Sequence, residues 1–341
     1  MIEARYHDRV NVLQELFAES SACAAPTPFD RAEWYALLSD TGLVPLIALA
    51  SDGDGAAALA LTEDAGRIAP LRNWYSFTWR QLAPPGAKGD RLLVEIARQL
   101  RQRGHRVTLE PVPDEDGSAT RLCTAFAKAG WRVEASRCDI NHVLHVGGMD
   151  FDTYWSQRPG ALRTTYKRKA KKVETQVICH FDDALWSDYE AIYEASWKPR
   201  EDHPAMLRQF ARQEGDAGRL RFGMAWHEGK PVAAQCWTVE HGTAFIHKLA
   251  YLESARSLSA GTTLSAALFR HVIDTDRVTL VDFGTGDQSY KADWMNGIRP
   301  RYRIDCLDLA QPRAWLDLAR QTARRLREAE VPALAPFPPR R

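Results

Sequence analysis

The stretch 244–291 constrains this 341-residue chain more than any other. Its opening, AFIHKLAY, alternates as a strand does, which sets Phe245, His247, Leu249 and Tyr251 on one face. His247 and Tyr251 are therefore expected side by side. A small, polar loop follows over 252–260, and a helix opens near Gly261 with Thr262 and Thr263 in its first turn. Leu264, Leu268 and Val272 line one side of that helix and Ala266, Phe269 and Ile273 another, so it is predicted to be buried. A return strand at 278–283 ends in Asp282, Gly284, Gly286 and Asp287. Unpaired N–H groups at a helix start, reached through small residues, offer a seat for phosphate. The unit is thus a cofactor-binding one, and pattern alone leaves a nucleotide, a dinucleotide or coenzyme A open. The glycine signatures of the first two, G-x-x-x-x-G-K-[ST] and G-x-G-x-x-G between strand and helix, are missing.

Two motifs in this stretch resemble a known family. Arg256-x-x-Ser259-x-Gly261 is similar to the R/Q-x-x-G-x-G/A pyrophosphate loop of GNAT acyltransferases, with serine at the first glycine. VDFGTGDQSYKADW resembles the D-F-G-x-G-D-x-x-Y-K segment of the GNAT branch that includes Fem-type aminoacyl transferases and BioF2-like or CelD-like acyltransferases. The resemblance runs from about residue 29 to 309 and is most specific over 282–291. It implies an α+β fold of two tandem GNAT-like lobes, each a mixed, mostly antiparallel sheet flanked by helices.

Reading the chain in order agrees with a duplication. Residues 1–28 read as a capped lead-in, and a helix follows at 30–38 with Asp30 as its cap. Strands are expected at 43–50, 56–61 and 67–79, separated by acidic glycine turns. Asp90 and Ser118 are expected to cap two helices around a strand at 107–109, and 131–146 reads as a long strand broken near Ser136-Arg137. The second half repeats this order, with helices at 182–197 and 205–213 and strands at 220–227, 231–240 and 243–251. The last two strands join through His241-Gly242. A short helix near Tyr290 and a strand at 302–309 complete it. The expected division is an N-terminal lobe over 1–150, a C-terminal lobe over 151–310, a helix over 311–329 and a disordered tail over 330–341. The N-terminal counterpart of the phosphate loop, APPGAKGD, holds prolines that have no N–H to offer. That lobe is assigned no cofactor and is read as the acceptor side.

For the C-terminal lobe the resemblance implies an acyl-CoA donor, its diphosphate seated by Arg256 and the amides of Leu258, Ser259, Ala260, Gly261 and Thr262. Asp282, Tyr290, Tyr251 and His247 are the catalytic candidates: acyl transfer to an amine needs a base, and a proton for the leaving thiolate. Lys291, Trp74 and Tyr75 are the substrate-binding candidates, the aromatic run 73–79 forming a wall for the acceptor. The acceptor is expected to be a small or envelope-related primary amine. Aminoacyl-tRNA is the alternative donor, kept open by a basic run (Arg158, Arg163, Lys167, Arg168, Lys169, Lys171, Lys172) that contains no acid. A non-catalytic scaffold that retained the fold is the third reading.

Composition excludes other classes. A net charge of +1 provides no field for nucleic acid, so any anion site is local. Six cysteines without C-x-x-C spacing suit free thiols in a reducing cytoplasm. No metal spacing and no G-x-S-x-G elbow occur, and no apolar run reaches membrane-spanning length. The expected location is cytoplasmic, with no metal.

Overall fold

The computed structural model describes residues 2–19 and 27–330. Across them one order of elements runs twice. The first pass is β1 (Glu3–His7), α1 (Asn11–Glu19), α2 (Ala32–Asp40), β2 (Leu46–Ser51), β3 (Ala56–Asp64), β4 (Arg67–Pro70), α3 (Gly86–Leu100), β5 (Arg106–Val112), α4 (Ser118–Lys128) and β6 (Arg132–His145). Two further helices, α5 (Phe151–Ser156) and α6 (Gly160–Lys169), lead into the second pass. This is β7 (Glu174–Ile178), α7 (Asp183–Glu194), α8 (Pro204–Asp216), β8 (Leu220–His227), β9 (Lys230–Glu240), β10 (Thr243–Tyr251), α9 (Ala260–Arg270), β11 (Leu280–Thr285), α10 (Ser289–Ala292) and β12 (Gly297–Leu307). The amphipathic α11 (Pro312–Glu330) closes the described chain. Residues 331–341, expected as a tail, lie outside it.

The strands form one sheet in the order β1-β2-β3-β4-β5-β12-β6-β11-β10-β9-β8-β7. Adding six to a strand number carries one arm of the sheet onto the other, with β6 and β12 exchanged. Each half's last strand lies against the other half's fifth. Equivalent pairs keep the same sense: β4 with β5 and β10 with β11 are parallel, and their neighbours are antiparallel. At the centre β12 pairs with β6 from Gly297 opposite Val143 to Leu307 opposite Arg132, and Cys138 is the one β6 residue the register skips. The break expected near Ser136-Arg137 is this bulge, which bends the strand without ending it.

Two apolar cores share the sheet. One packs Trp34 of α2, Leu92 of α3 and Leu122 of α4 with Trp186 of α7 and Phe210 of α8, and so joins both halves. The other surrounds α9, whose Leu264, Leu268 and Phe269 are fully buried. Phe269 stacks on Trp294 at 5.1 Å and on Tyr154 at 5.3 Å, and meets the edge of Trp237 at 5.1 Å. Burial of that one ring contributes roughly 2–3 kcal/mol.

Several local expectations are corrected. The supposed lead-in contains β1 and α1, and β1 forms one edge of the sheet. Its counterpart β7, also unforeseen, forms the other. The strand expected over 67–79 stops at Pro70; after Leu71, whose N–H still donates to Ala60 O, the chain leaves the sheet, and its backbone returns at Trp79, whose N–H donates to Pro111 O, and at Leu82, which bridges Ala58. Helix α3 begins four residues before Asp90, and Gly117 precedes α4 in place of Ser118. Because β6 and β12 are exchanged, each half alone leaves a central sheet edge unpaired. Fragments cut in the Gly147-Gly148 turn and expressed singly are expected to lack dispersed amide NMR signals, whereas co-expression restores the native spectrum.

Candidate active site

The start of α9 is shaped by a 3-10 turn, Glu253–Leu258, and by Ser259, which adopts the left-handed conformation at φ 53°. That conformation explains why the similar loop motif has glycine here; serine bears it at a cost of about 1–2 kcal/mol. The Ser259 N–H is taken by Arg256 O at 3.1 Å, and its carbonyl accepts from the Thr263 N–H at 3.1 Å. Ala260, Gly261 and Thr262 form the first turn of α9, where an α-helix offers its own N–H groups no partner. Lys169, at the end of the basic α6, reaches Ser259 Oγ with its Nζ at 3.3 Å. Gln235 of β9 pins the helix start from below, donating to Gly261 O at 3.2 Å and Ser265 Oγ at 2.8 Å. The first-turn amides of α9 and a lysine therefore meet at one helix start, the arrangement that seats a diphosphate. Arg256 itself is exposed and pairs with Glu253.

Beside this seat β10 and β11 separate. They pair only through Thr243, Ala244 and Phe245 against Leu280, Val281 and Asp282. Between Ile246 and Lys248 the pairing of β10 with β9 shifts by one residue, so His247 is a bulge. The bulge reverses the alternation. His247 bonds Thr238 Oγ1 at 2.7 Å on one face, whereas Tyr251 lies on the α9 face, 3.5 Å from where a Gly261 Cβ would stand. The expectation that His247 and Tyr251 share a face is therefore corrected. Where the strands part there is a cavity of about 320 Å³, lined by Trp74, Tyr75 and His247, by Lys198 and Lys248, and by Tyr290 and Lys291. Trp74, Tyr75 and Phe77 come from the excursion of the first half, so the cavity lies between the halves. Gly284, at φ +71°, lets the Phe77 ring approach; a Cβ there would stand 2.8 Å from it.

The electrostatics are set by desolvation. Lys248 is buried, donates to Glu201 Oε1 at 2.9 Å, and lies 4.0 Å and 4.2 Å from the ring centres of Trp74 and Tyr75. Burial lowers its pKa to about 8 against the pull of Glu201. Lys291 donates to Thr285 O at 2.5 Å, and burial brings it also to about 8, against Asp282, Asp139 and Asp287. Tyr75 donates to Glu201 Oε1 at 2.7 Å and is pushed up by burial and by that carboxylate. His247 stands among Phe29, Phe77, Phe210 and Phe245, and desolvation pulls its pKa down to about 3.

Residues 160–292 match the family model described as an acetyltransferase (GNAT) domain. This segment carries the likeness to GNAT acetyltransferases. It contains the start of α9, the bulge in β10 and the parting of β10 from β11. No curated relative matches the chain. Among solved structures FemX is similar at 9% identity over 90% of this chain and 98% of its own, with a TM-score of 0.62. L-PGS from Bacillus licheniformis is similar at 13% identity over 91% and 96%, with a TM-score of 0.57. At such identities the likeness is one of fold alone.

Against the residues expected for the GNAT site, the structure brings Trp74, Tyr75, His247, Tyr290 and Lys291 around one cavity and sets Tyr251 beside the phosphate seat. Asp282 stays outside the cavity wall. Its buried carboxylate accepts from Gly284 N–H at 2.8 Å and from Asn141 Nδ2 at 3.1 Å, with Arg301 at 3.9 Å, and burial raises its pKa against those partners. Lys248 and Glu201 were not foreseen. Strict alternation had turned Lys248 away from His247, and only a break in that alternation would have shown it. Among the described residues no three His, Cys, Asp or Glu side chains gather as metal ligands would, and no helix is long and apolar enough to cross a membrane.

Two outcomes follow from this geometry. Ser259→Gly relieves the left-handed strain and is expected to raise unfolding stability by about 1 kcal/mol in a denaturant titration. For His247 the folded pKa lies below the unfolded value, so the unfolded chain binds the extra proton between about pH 6.5 and 3 and stability falls as pH drops through that range. Compared with His247→Gln, the wild-type protein should lose about 2 kcal/mol more between pH 7 and pH 4.5, measured by urea unfolding at both values.

Proposed function

We propose that this chain is an N-acyltransferase that moves an acyl group from acyl-CoA to a primary amine by direct attack. The observation that carries this reading is the start of α9 at Ala260, Gly261 and Thr262, with Lys169 at Ser259, beside the parted strands. Those N–H groups and Lys169 hold the donor diphosphate, and the thioester arm follows β10 toward the cavity. The N-terminal half, 1–150, is the acceptor side and supplies the aromatic wall; the C-terminal half, 151–310, is the donor side. A neutral amine attacks the thioester carbonyl carbon, the C–N bond forms, and collapse of the tetrahedral adduct breaks the C–S bond. The Tyr290 hydroxyl has no hydrogen-bond partner among the described residues, and burial together with Tyr251 keeps it protonated, so it can supply the thiolate with a proton. His247, with so acidic a conjugate acid, is a poor base, and we read its ring as packing. Asp282 is read as the brace of the Gly284 turn. The amine's proton leaves through solvent at the cavity mouth. An acyl-CoA donor and a small or envelope-related acceptor place the reaction in the cytoplasm.

A second reading takes an aminoacyl group from tRNA, and the basic α6 next to the phosphate seat favours it. Calorimetry with acetyl-CoA and with charged tRNA separates the two; tight tRNA binding without coenzyme A binding reverses the order. In the first reading Gly261→Val fills the anion seat while the helix remains, since a Cβ there meets Tyr251 at an ordinary 3.5 Å. Acetyl-CoA affinity is expected to fall by about a hundredfold or more, with unchanged circular dichroism. Unaltered affinity removes the loop from the mechanism.

A further inference from the structure

We propose that the acceptor amine carries an anionic group, a carboxylate or a phosphate, and that Lys198 binds it in the cavity between the halves. The inference rests on the transferase reading for the word acceptor, and on the cavity itself for the anion. The residues lining that cavity include three lysines, Lys198, Lys248 and Lys291, and no aspartate or glutamate. Two of the three are already answered. Lys248 has Glu201 behind the wall and two aromatic faces against its charge. Lys291 has the carbonyls of Thr285 and Gly284.

Lys198 is different. Among the described residues its Nζ has no hydrogen bond and no ion pair, and its one contact of that kind is the Tyr193 ring, with the centroid 5.8 Å away. An ammonium has three donors to place, and a desolvated one without an anion is costly. Desolvation first, and then the nearby charges of Lys248 and Lys291, lower its pKa to about 8, with Glu201 opposing them. A bound anion would relieve both penalties at once. The two flanking rings, Trp74 and Trp197, are large and half-exposed or more, as they would be at the mouth of a site that takes a small molecule. This anion cannot be one of the donor's phosphates in the proposed arrangement. Those belong with Lys169 and α9, on the Tyr251 face of β10, whereas Lys248 and its neighbours occupy the opposite face. An amino acid or an amino phosphate ester fits a cavity of this size and sign.

The test is calorimetric titration of inorganic phosphate and, separately, of acetate into protein saturated with coenzyme A. Wild type, Lys198→Met and Lys198→Arg are compared. One of the two anions is expected to bind wild type in the millimolar range, and which one does so identifies the group. Lys198→Met should weaken it by about tenfold or more, while Lys198→Arg keeps it within a few-fold. Failure of both anions to bind up to ~100 mM overturns the proposal. So does equal binding in Lys198→Met, or equal loss in Lys198→Arg, which would mark a structural role. If wild type does not bind coenzyme A, it is the transferase reading that fails. The same titrations on Gly261→Val protein, whose donor seat is blocked, then decide the anion site by the same criteria.

Discussion

Parallel strands β10 and β11 share only three paired positions before they part, and the site exists because of what keeps them apart. Backbone groups released from a ladder must find other partners. Here the carboxylate of Asp282 takes the Gly284 N–H, Asp139 takes the Gly286 N–H, and Lys291 takes the carbonyls of Thr285 and Gly284. The Phe77 ring lies against Gly284 where no side chain would fit. On the other strand the bulge at His247 turns Lys248 toward Glu201 and the aromatic wall. The opening is therefore held by polar contacts on β11 and by packing across the halves, and it does not depend on a bound molecule.

Exchange of the last strands gives that opening a rigid frame. Arg301 of β12 is fully buried; its Nη1 donates to both carboxylate oxygens of Glu115, in the first half, and its Nη2 lies 3.9 Å from Asp282, in the second. One guanidinium thus ties a loop of one half to the strand that borders the cavity in the other. Removing one member of such a buried set typically costs about 3–5 kcal/mol, because the remaining charge stays desolvated. The brace of the Gly284 turn and the junction of the halves are one electrostatic unit. Asp282 was legible in the sequence as an important carboxylate, yet what it does in the fold is to hold geometry.

Legibility followed the length and regularity of each pattern. Helix α9 was readable because two apolar sides leave a helix no exposed face. The His241-Gly242 turn was readable because both residues take positive φ, 47° and 71°, which a two-residue hairpin demands. The edge strands β1 and β7, EARYH and ETQVI, are five residues each and half polar, so nothing in them competes with a loop reading. The bulge at His247 adds one residue to one strand and leaves no compositional trace, so every residue after it was placed on the wrong face. The lysine cavity was out of reach for another reason: its walls come from residues 74–77, 193–199, 246–249 and 283–291, brought together by long-range packing. Trp74 and Tyr75 could be noticed as an aromatic run, but their pairing with Lys248 is a property of the folded chain alone.

The difference between the halves shows how a duplicated unit can divide its work. In the second half β10 continues through its bulge to Tyr251, and α9 opens on the small residues Ala260, Gly261 and Thr262. In the first half Pro70 ends β4, and the chain re-enters beside β3 and β5 through Leu82 and Trp79. The equivalent space beside β4 is thus filled by the protein's own backbone. The helix start there is closed as well: Pro85 precedes α3, Arg121 donates to Pro84 O at 2.9 Å, and a Cβ on Gly89 would fall 1.9 Å from that same oxygen. A carbonyl occupies the ground that a phosphate would need. The segment that breaks β4 is the one that carries Trp74, Tyr75 and Phe77 into the other half's cavity. On the proposed reading, losing a donor site and gaining an acceptor wall are one structural event, because a strand that stayed in register could not have sent those rings across the interface.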